Sequence, residues 1–190
     1  MHEAGLPAGV LNVVVGPGRA MGDLFTSHPA VKTLTFTGET VTGKLLAGKA
    51  ASHLKRYALE LGGKNPNIIF ADADFDKAVS IAARAAFTNQ GQICLCGSRL
   101  FVQEKIYEKF REALITKTKK LKVGDPKNPD SNLGAVVSKE HMEKILSKIE
   151  KAKELGGKIL IGGKREILEG KLKNGYYIQP TIIEGLNYDC

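Results

Sequence analysis

Phe87-Thr88-Asn89-Gln90-Gly91-Gln92-Ile93-Cys94-Leu95-Cys96-Gly97-Ser98-Arg99 joins an alanine- and valine-rich stretch, residues 75–87, to a short apolar run, residues 100–103. The spacing predicts a helix before this segment and a strand after it, the alternation of an α/β fold. Within it stand two amides, a glycine and a cysteine, then a second cysteine and a glycine. A cysteine on a glycine-bearing turn exposes its sulfur and sets backbone N–H groups beside it. Such groups lower a thiol pKa or hold a developing oxyanion. Read locally, Cys94 fits a buried structural thiol better than a nucleophile, since burial is the commoner state of a free cysteine.

Working outward, the same alternation extends in both directions. Residues 4–7 read as the tail of a helix already under way, so the start looks truncated. The apolar run 10–15 is expected to be a buried parallel strand feeding the turn Gly16-Pro17-Gly18. A helix over 20–27 is stopped by His28-Pro29. A strand over 32–36, a helix over 40–51 and a strand over 54–61 follow, the rhythm of a doubly wound sheet. After Gly62-Gly63, taken as the domain boundary, the pattern restarts with a strand over 67–70 and a turn holding Asp72 and Asp74, one of them a helix N-cap. Beyond the cysteine turn, a helix over 105–120 leads to a surface loop, 124–133. Ser138 opens another helix, which Gly156-Gly157 ends, and strands are expected over 158–161 and 176–183.

The chain has 190 residues and a net charge of +8, with 43% hydrophobic and 25% charged residues. That suits one good core or parts of two domains of an ordinary globular protein. The positive charge is lysine alternating with glutamate along amphipathic helices, not a basic cluster interleaved with aromatics, which argues against a nucleic-acid partner. The three cysteines, Cys94, Cys96 and Cys190, make a poor disulfide set and fit a reducing cytoplasm. Cys-x-Cys without a second Cys/His pair gives no metal site. No apolar run approaches bilayer length, so no membrane partner is expected.

A second motif changes the balance at Cys94. Leu59-Glu60-Leu61-Gly62-Gly63-Lys64-Asn65-Pro66 lies upstream, and with the cysteine segment it resembles the paired active-site signatures of the NAD(P)-dependent aldehyde dehydrogenase superfamily. A third stretch, Phe36-Thr37-Gly38-Glu39-Thr40-Val41-Thr42-Gly43, resembles that family's cofactor turn at a strand-to-helix junction, where a helix N-terminus attracts a pyrophosphate. Glu39 replaces the more frequent serine there. Gly18 matches the turn one strand earlier. Ile93-Cys94-Leu95-Cys96 looks most like the muconic-semialdehyde branch.

The resemblance runs over essentially the whole chain and implies several things. Residues 1–62 would be the C-terminal part of a Rossmann-like dinucleotide-binding domain, and 63–190 the N-terminal part of a catalytic α/β domain. Cys94 would be the nucleophile and Glu60 the general base for thioester hydrolysis. Gly18, Gly38, Glu39, Gly43, Leu61 and Gly62 would lie along the cofactor, NAD or else NADP. The substrate would be a small-molecule aldehyde, and the parent enzyme a cytoplasmic homo-oligomer, dimer or tetramer. Cys96 is expected to pack inward, Asn89 and Gln90 to organise the turn, and Lys64, Asn65 and Arg99 to be scaffold. Because family members are longer, the chain is expected to be a middle segment, nearly inactive alone. It would lack an upstream lysine and oxyanion asparagine and a downstream nicotinamide-ribose glutamate. Two other readings are a non-catalytic fragment that keeps the fold and a cysteine esterase.

Overall fold

The computed structural model describes residues 3–187, and Cys190 lies outside them. The chain forms two compact units, Met1–Gly62 and Gly63–Cys190.

In the first unit, helix α1 (Gly18–Ser27) leads to strand β1 (Thr33–Gly38), helix α2 (Thr40–Ser52) and strand β2 (Arg56–Leu61). β1 and β2 pair in parallel, with Thr37 opposite Glu60 and Gly38 opposite Leu61. α2 is therefore a crossover helix, and its fully buried Ala50 and buried Gly43 mark the inner face. The C-terminus of α1 is closed by Lys55, whose Nζ donates to Phe25 O and His28 O at 3.0 and 2.6 Å. A cation on the last carbonyls of a helix meets both their unpaired oxygens and the helix dipole. Lys49 of α2 pairs with Asp23 of α1 and holds that carboxyl below its ordinary range.

Two expectations fail here. Residues 10–15 are not a strand, and Val13 and Val15 are 83% and 94% exposed. An apolar run becomes a buried strand only when a neighbouring strand supplies hydrogen bonds and a helix supplies cover. Among the described residues this one has no strand partner. Residues 4–7 are a turn and coil with Gly5 at φ +78°, not the end of a helix.

In the second unit, strand β3 (Pro66–Ile69), helix α3 (Phe75–Phe87) and strand β4 (Arg99–Val102) make a further parallel crossover, with Pro66 opposite Arg99. Asp74 caps α3 by accepting from Lys77 N at 3.2 Å, and Val79, Ala82 and Ala83 face inward at helical spacing. Helix α4 (Tyr107–Lys119) lies against α3, and Phe75 meets Phe110 edge-on at 5.9 Å between ring centres. Ile69, Val79, Ala82, Ala83, Phe110 and Leu114 form the core. Helix α5 (Lys139–Glu154) starts at Ser138, whose Oγ accepts from His141 N at 3.1 Å.

Strands β5 (Lys158–Ile161) and β8 (Ile182–Glu184) pair antiparallel, as do β6 (Arg165–Glu166) and β7 (Tyr177–Ile178). The strand expected over 176–183 is thus two strands broken at Pro180, which has no N–H for a ladder. The α/β class holds, with small two-stranded sheets among the described residues, two parallel and two antiparallel.

Candidate active site

The cysteine segment lies between the C-terminus of α3 and the start of β4. Thr88 ends α3, its Oγ1 donating to Arg84 O at 2.7 Å. The chain then reverses through three successive left-handed residues, Asn89 (φ 51°), Gln90 (φ 56°) and Gly91 (φ 73°). For Gln90 that conformation costs about 1–2 kcal/mol, less for asparagine and nothing for glycine. The reversal is tied by Gln92 N donating to Asn89 O at 3.0 Å, while Asn89 Nδ2 reaches Gln92 O at 3.4 Å. Gln92 Oε1 also accepts from Val137 N at 3.1 Å, fastening the segment to the stretch before α5.

Cys96 N donates to Ile93 O at 3.1 Å, closing a β-turn with Cys94 and Leu95 at its corners. The Ile93 C=O points into this turn, so the N–H on the other side of the same trans peptide, that of Cys94, points out of it. Cys94 is exposed and Cys96 buried, 7% accessible. Among the described residues the Cys94 N–H makes no hydrogen bond. A thiol and an outward N–H on one residue are what nucleophilic attack on a carbonyl needs: the sulfur adds, and the N–H meets the oxygen.

The start of β3 holds the turn in place. Asn65 Nδ2 donates to Cys94 O at 2.6 Å and to Cys96 O at 3.2 Å. Arg99 Nε donates to Lys64 O at 2.8 Å, and Gly97 N to Ala85 O at 3.2 Å. Gly97 is buried where a Cβ would press on Asn67 and Ala85 at 3.3–3.4 Å. Asn89 thus helps organise the turn, and Cys96 packs inward. Asn65 was expected to be scaffold, and its direct hold on the cysteine carbonyls was missed. No local pattern signals a contact between residues 29 positions apart in the chain.

The carboxylate and all six cofactor positions belong to the first unit. Glu60 is exposed near the C-terminal end of β2, followed by half-buried Leu61 and exposed Gly62. The parallel register places Gly38 and Glu39 at that same end, where β1 hands over to α2. A Cβ on Gly43 would lie 2.5 Å from Leu61 Cδ2, and one on Gly38 2.6 Å from Phe36 Cζ. Glycine at 43 keeps the start of α2 close to β2, and glycine at 38 leaves room for the Phe36 ring of its own strand. The first-turn N–H groups of α2 lie outside the carboxyl ends of the strands, where open α/β sheets take dinucleotides. Glu39 is the N-cap residue of α2, and its side chain makes no cap hydrogen bond. Gly18 is the first residue of α1, with open space around it. These residues fit a dinucleotide, Glu39 being the one carboxylate among them. Glu60 and Cys94 fall in different units, each placed within its own.

A shallow cleft of about 360 Å³ lies elsewhere, between residues 122–131 and 168–172, and none of the predicted site residues lines it. Among the described residues no group of His, Cys, Asp and Glu could hold a metal, and no helix is long and apolar enough to cross a membrane.

Comparison with known proteins returns one family. Residues 1–190 match the profile described as the aldehyde dehydrogenase family. The 2-aminomuconic semialdehyde dehydrogenase of Mus musculus is 44% identical over 185 residues, 96% of this chain and 38% of that protein. Betaine aldehyde dehydrogenase from Staphylococcus aureus, solved in complex with NAD⁺, superposes with a TM-score of 0.89 at 44% identity, covering 96% of this chain and 36% of that one. An E. coli NADP-dependent enzyme gives 0.88 at 40%, covering 96% and 37%. The chain spans under two fifths of the length of the relatives it matches.

Proposed function

The chain belongs to the aldehyde dehydrogenase family, and from that premise we propose that it carries the reacting groups of an NAD(P)⁺-dependent oxidation of an aldehyde to a carboxylic acid, with Cys94 as nucleophile and Glu60 as general base. The observation that carries this reading is the β-turn at Ile93–Cys96, which presents one thiol and its own N–H outward while burying the next thiol.

The chemistry assigns a role to each group. The Cys94 thiolate adds to the aldehyde carbon, and the Cys94 N–H donates a hydrogen bond to the new oxyanion. A bound dinucleotide would supply the acceptor for the hydride on the former aldehyde carbon, whose loss leaves a thioester on Cys94. Glu60 takes a proton from water as the water attacks the thioester, and the C–S bond breaks to release the carboxylic acid and the thiol. Residues 1–62 act as the C-terminal part of a dinucleotide-binding domain, with Gly38, Gly43, Leu61 and Gly62 lining the cofactor and the start of α2 facing its phosphates. Glu39 turns its carboxylate away from those phosphates, and Gly18 lies towards the adenosine end. Residues 63–190 act as the N-terminal part of the catalytic domain. NAD is the expected cofactor, with NADP the other candidate, and the locale is the cytoplasm.

Acylation by p-nitrophenyl acetate tests the nucleophile without the dinucleotide. A burst of p-nitrophenolate approaching one per chain is expected, with the acetyl group on the peptide containing Cys94, and Cys94→Ser should abolish it. Acetylation spread evenly over other side chains would refute the assignment. Aldehyde-dependent NADH formation by these 190 residues is expected to be slight.

A further inference from the structure

One side chain holds the cysteine turn from behind. Asn65 Nδ2 donates to both Cys94 O and Cys96 O, at 2.6 and 3.2 Å. Both partners are acceptors, which fixes which way the amide faces, since an amide oxygen placed there would meet only oxygens. Asn65 is anchored in turn: Arg99 N donates to its carbonyl at 3.4 Å, and Arg99 Nε ties down the preceding residue, Lys64, at 2.8 Å. Gly63 backs the same oxygen, where a Cβ would lie 2.9 Å from Cys94 O. The carbonyl of a corner residue has no partner inside its own turn. Left to water, it would let the Cys94–Leu95 peptide rotate, and the thiol would rotate with it.

We propose that Asn65 is a positioning residue: by fixing the Cys94 and Cys96 carbonyls it holds the Cys94 thiol and N–H outward and keeps the Cys96 thiol inside. Its catalytic consequence rests on Cys94 being the nucleophile, whereas the clamp itself is read on Cys96. Asn65→Ala removes both donors. Asn65→Asp keeps the shape, but its ionised carboxylate presents only acceptors to two carbonyls, and its protonated form donates one bond.

The experiment measures modification of Cys94 and Cys96 in the full chain by 4,4′-dithiodipyridine, resolved by peptide mass mapping between about pH 4 and pH 8, where a carboxyl facing two carbonyl oxygens, raised above the free aspartate value, titrates. The unsubstituted chain should react at Cys94 and protect Cys96 throughout. Asn65→Ala should speed Cys96 modification at least tenfold at every pH and slow acylation of Cys94 by p-nitrophenyl acetate about tenfold. Asn65→Asp should protect Cys96 several-fold better in acid, where one donated bond is restored, than above the carboxyl's titration, where it should match Asn65→Ala. Because one polypeptide is read in both protonation states, this variant is its own folding control and decides the matter even if Asn65→Ala fails to fold. Unchanged Cys96 protection in Asn65→Asp across the range would overturn the clamp, whatever Cys94 does. Loss of protection in a chain that is never acylated at Cys94 would support the clamp and sink the nucleophile assignment instead.

Discussion

At the scale of single residues, the chemistry depends on which atoms a turn leaves outside. The Ile93–Cys96 turn separates two identical thiols, so Cys94 is exposed for a geometric reason. For Glu60 the expected outcome is sharper than loss of turnover. Glu60→Gln should leave acylation of Cys94 intact and lengthen the life of the acyl-cysteine about a hundredfold, the usual scale for a lost general base. Mass spectrometry of the acetylated chain over time measures it, and an unaltered decay would end the assignment. Gly43 offers a test by volume. Alanine there gains about 1 kcal/mol of helix propensity but meets Leu61 Cδ2 at 2.5 Å, and overpacking costs about 1–3 kcal/mol. Gly43→Ala should therefore be neutral to destabilising alone and stabilising in a Leu61→Ala background, a reversal of sign that denaturant titration reads directly. Motifs singled out Glu60 and the glycines, whose roles are the proposal above, and the exposure of Cys94 and the inward packing of Cys96 were legible in the sequence. The left-handed Gln90 and the hold of Asn65 on the cysteine carbonyls were not, since neither leaves a mark on its neighbours in the sequence.

At the scale of elements, local signals read true wherever the element closes its own account. Asp74 and Ser138 cap their helices as expected, because a cap is satisfied within four residues. The run 10–15 misled because apolar composition says a segment should be covered without saying by what. The run 176–183 misled because its apolar pattern continues across Pro180, whose missing N–H breaks the ladder. One link between elements was not foreseen at all. Tyr107 Oη, at the start of α4, donates to Glu184 Oε2 of β8 at 2.9 Å, and Arg111 Nη1 reaches the same oxygen at 3.4 Å. The tyrosine hydrogen bond first, then the Arg111 charge, holds the Glu184 carboxyl below its ordinary range, against the opposing pull of burial. A depressed folded-state value means stability that is present above the unfolded value and lost as pH falls through the folded one. Thermal stability should therefore fall on acidification below the ordinary glutamate range. Glu184→Gln should lower the neutral melting temperature by the equivalent of about 1 kcal/mol and flatten that acid limb. An acid limb as steep in the variant would refute the linkage.

At the scale of the molecule, the governing quantity is surface. The chain exposes 13651 Å², against about 8,900 Å² for a self-contained monomer of its mass. Two separate bodies of the same total mass would expose only about 10,500 Å². The excess is rich in large apolar side chains, Val13, Val15, Ile68 and Phe70 among them. Ile68 pairs with Phe101 across β3 and β4, and both are exposed, so one face of that small sheet is bare. Uncovered apolar area on this scale promotes association. The purified chain should bind a hydrophobic dye while folded and sediment as larger species with rising concentration. A dye-silent monomer at all concentrations would contradict this account of the surface.

The turn at Ile93–Cys96 has one more consequence. Two sulfurs of the same element, two positions apart, serve as probe and reference within a single peptide. Any oxidant or electrophile that meets the native chain should mark the outer one, and the inner one reports when the chain has come undone. The ratio of the two marks on one proteolytic fragment is then an internal gauge of native structure, independent of protein concentration and of how much reagent was added.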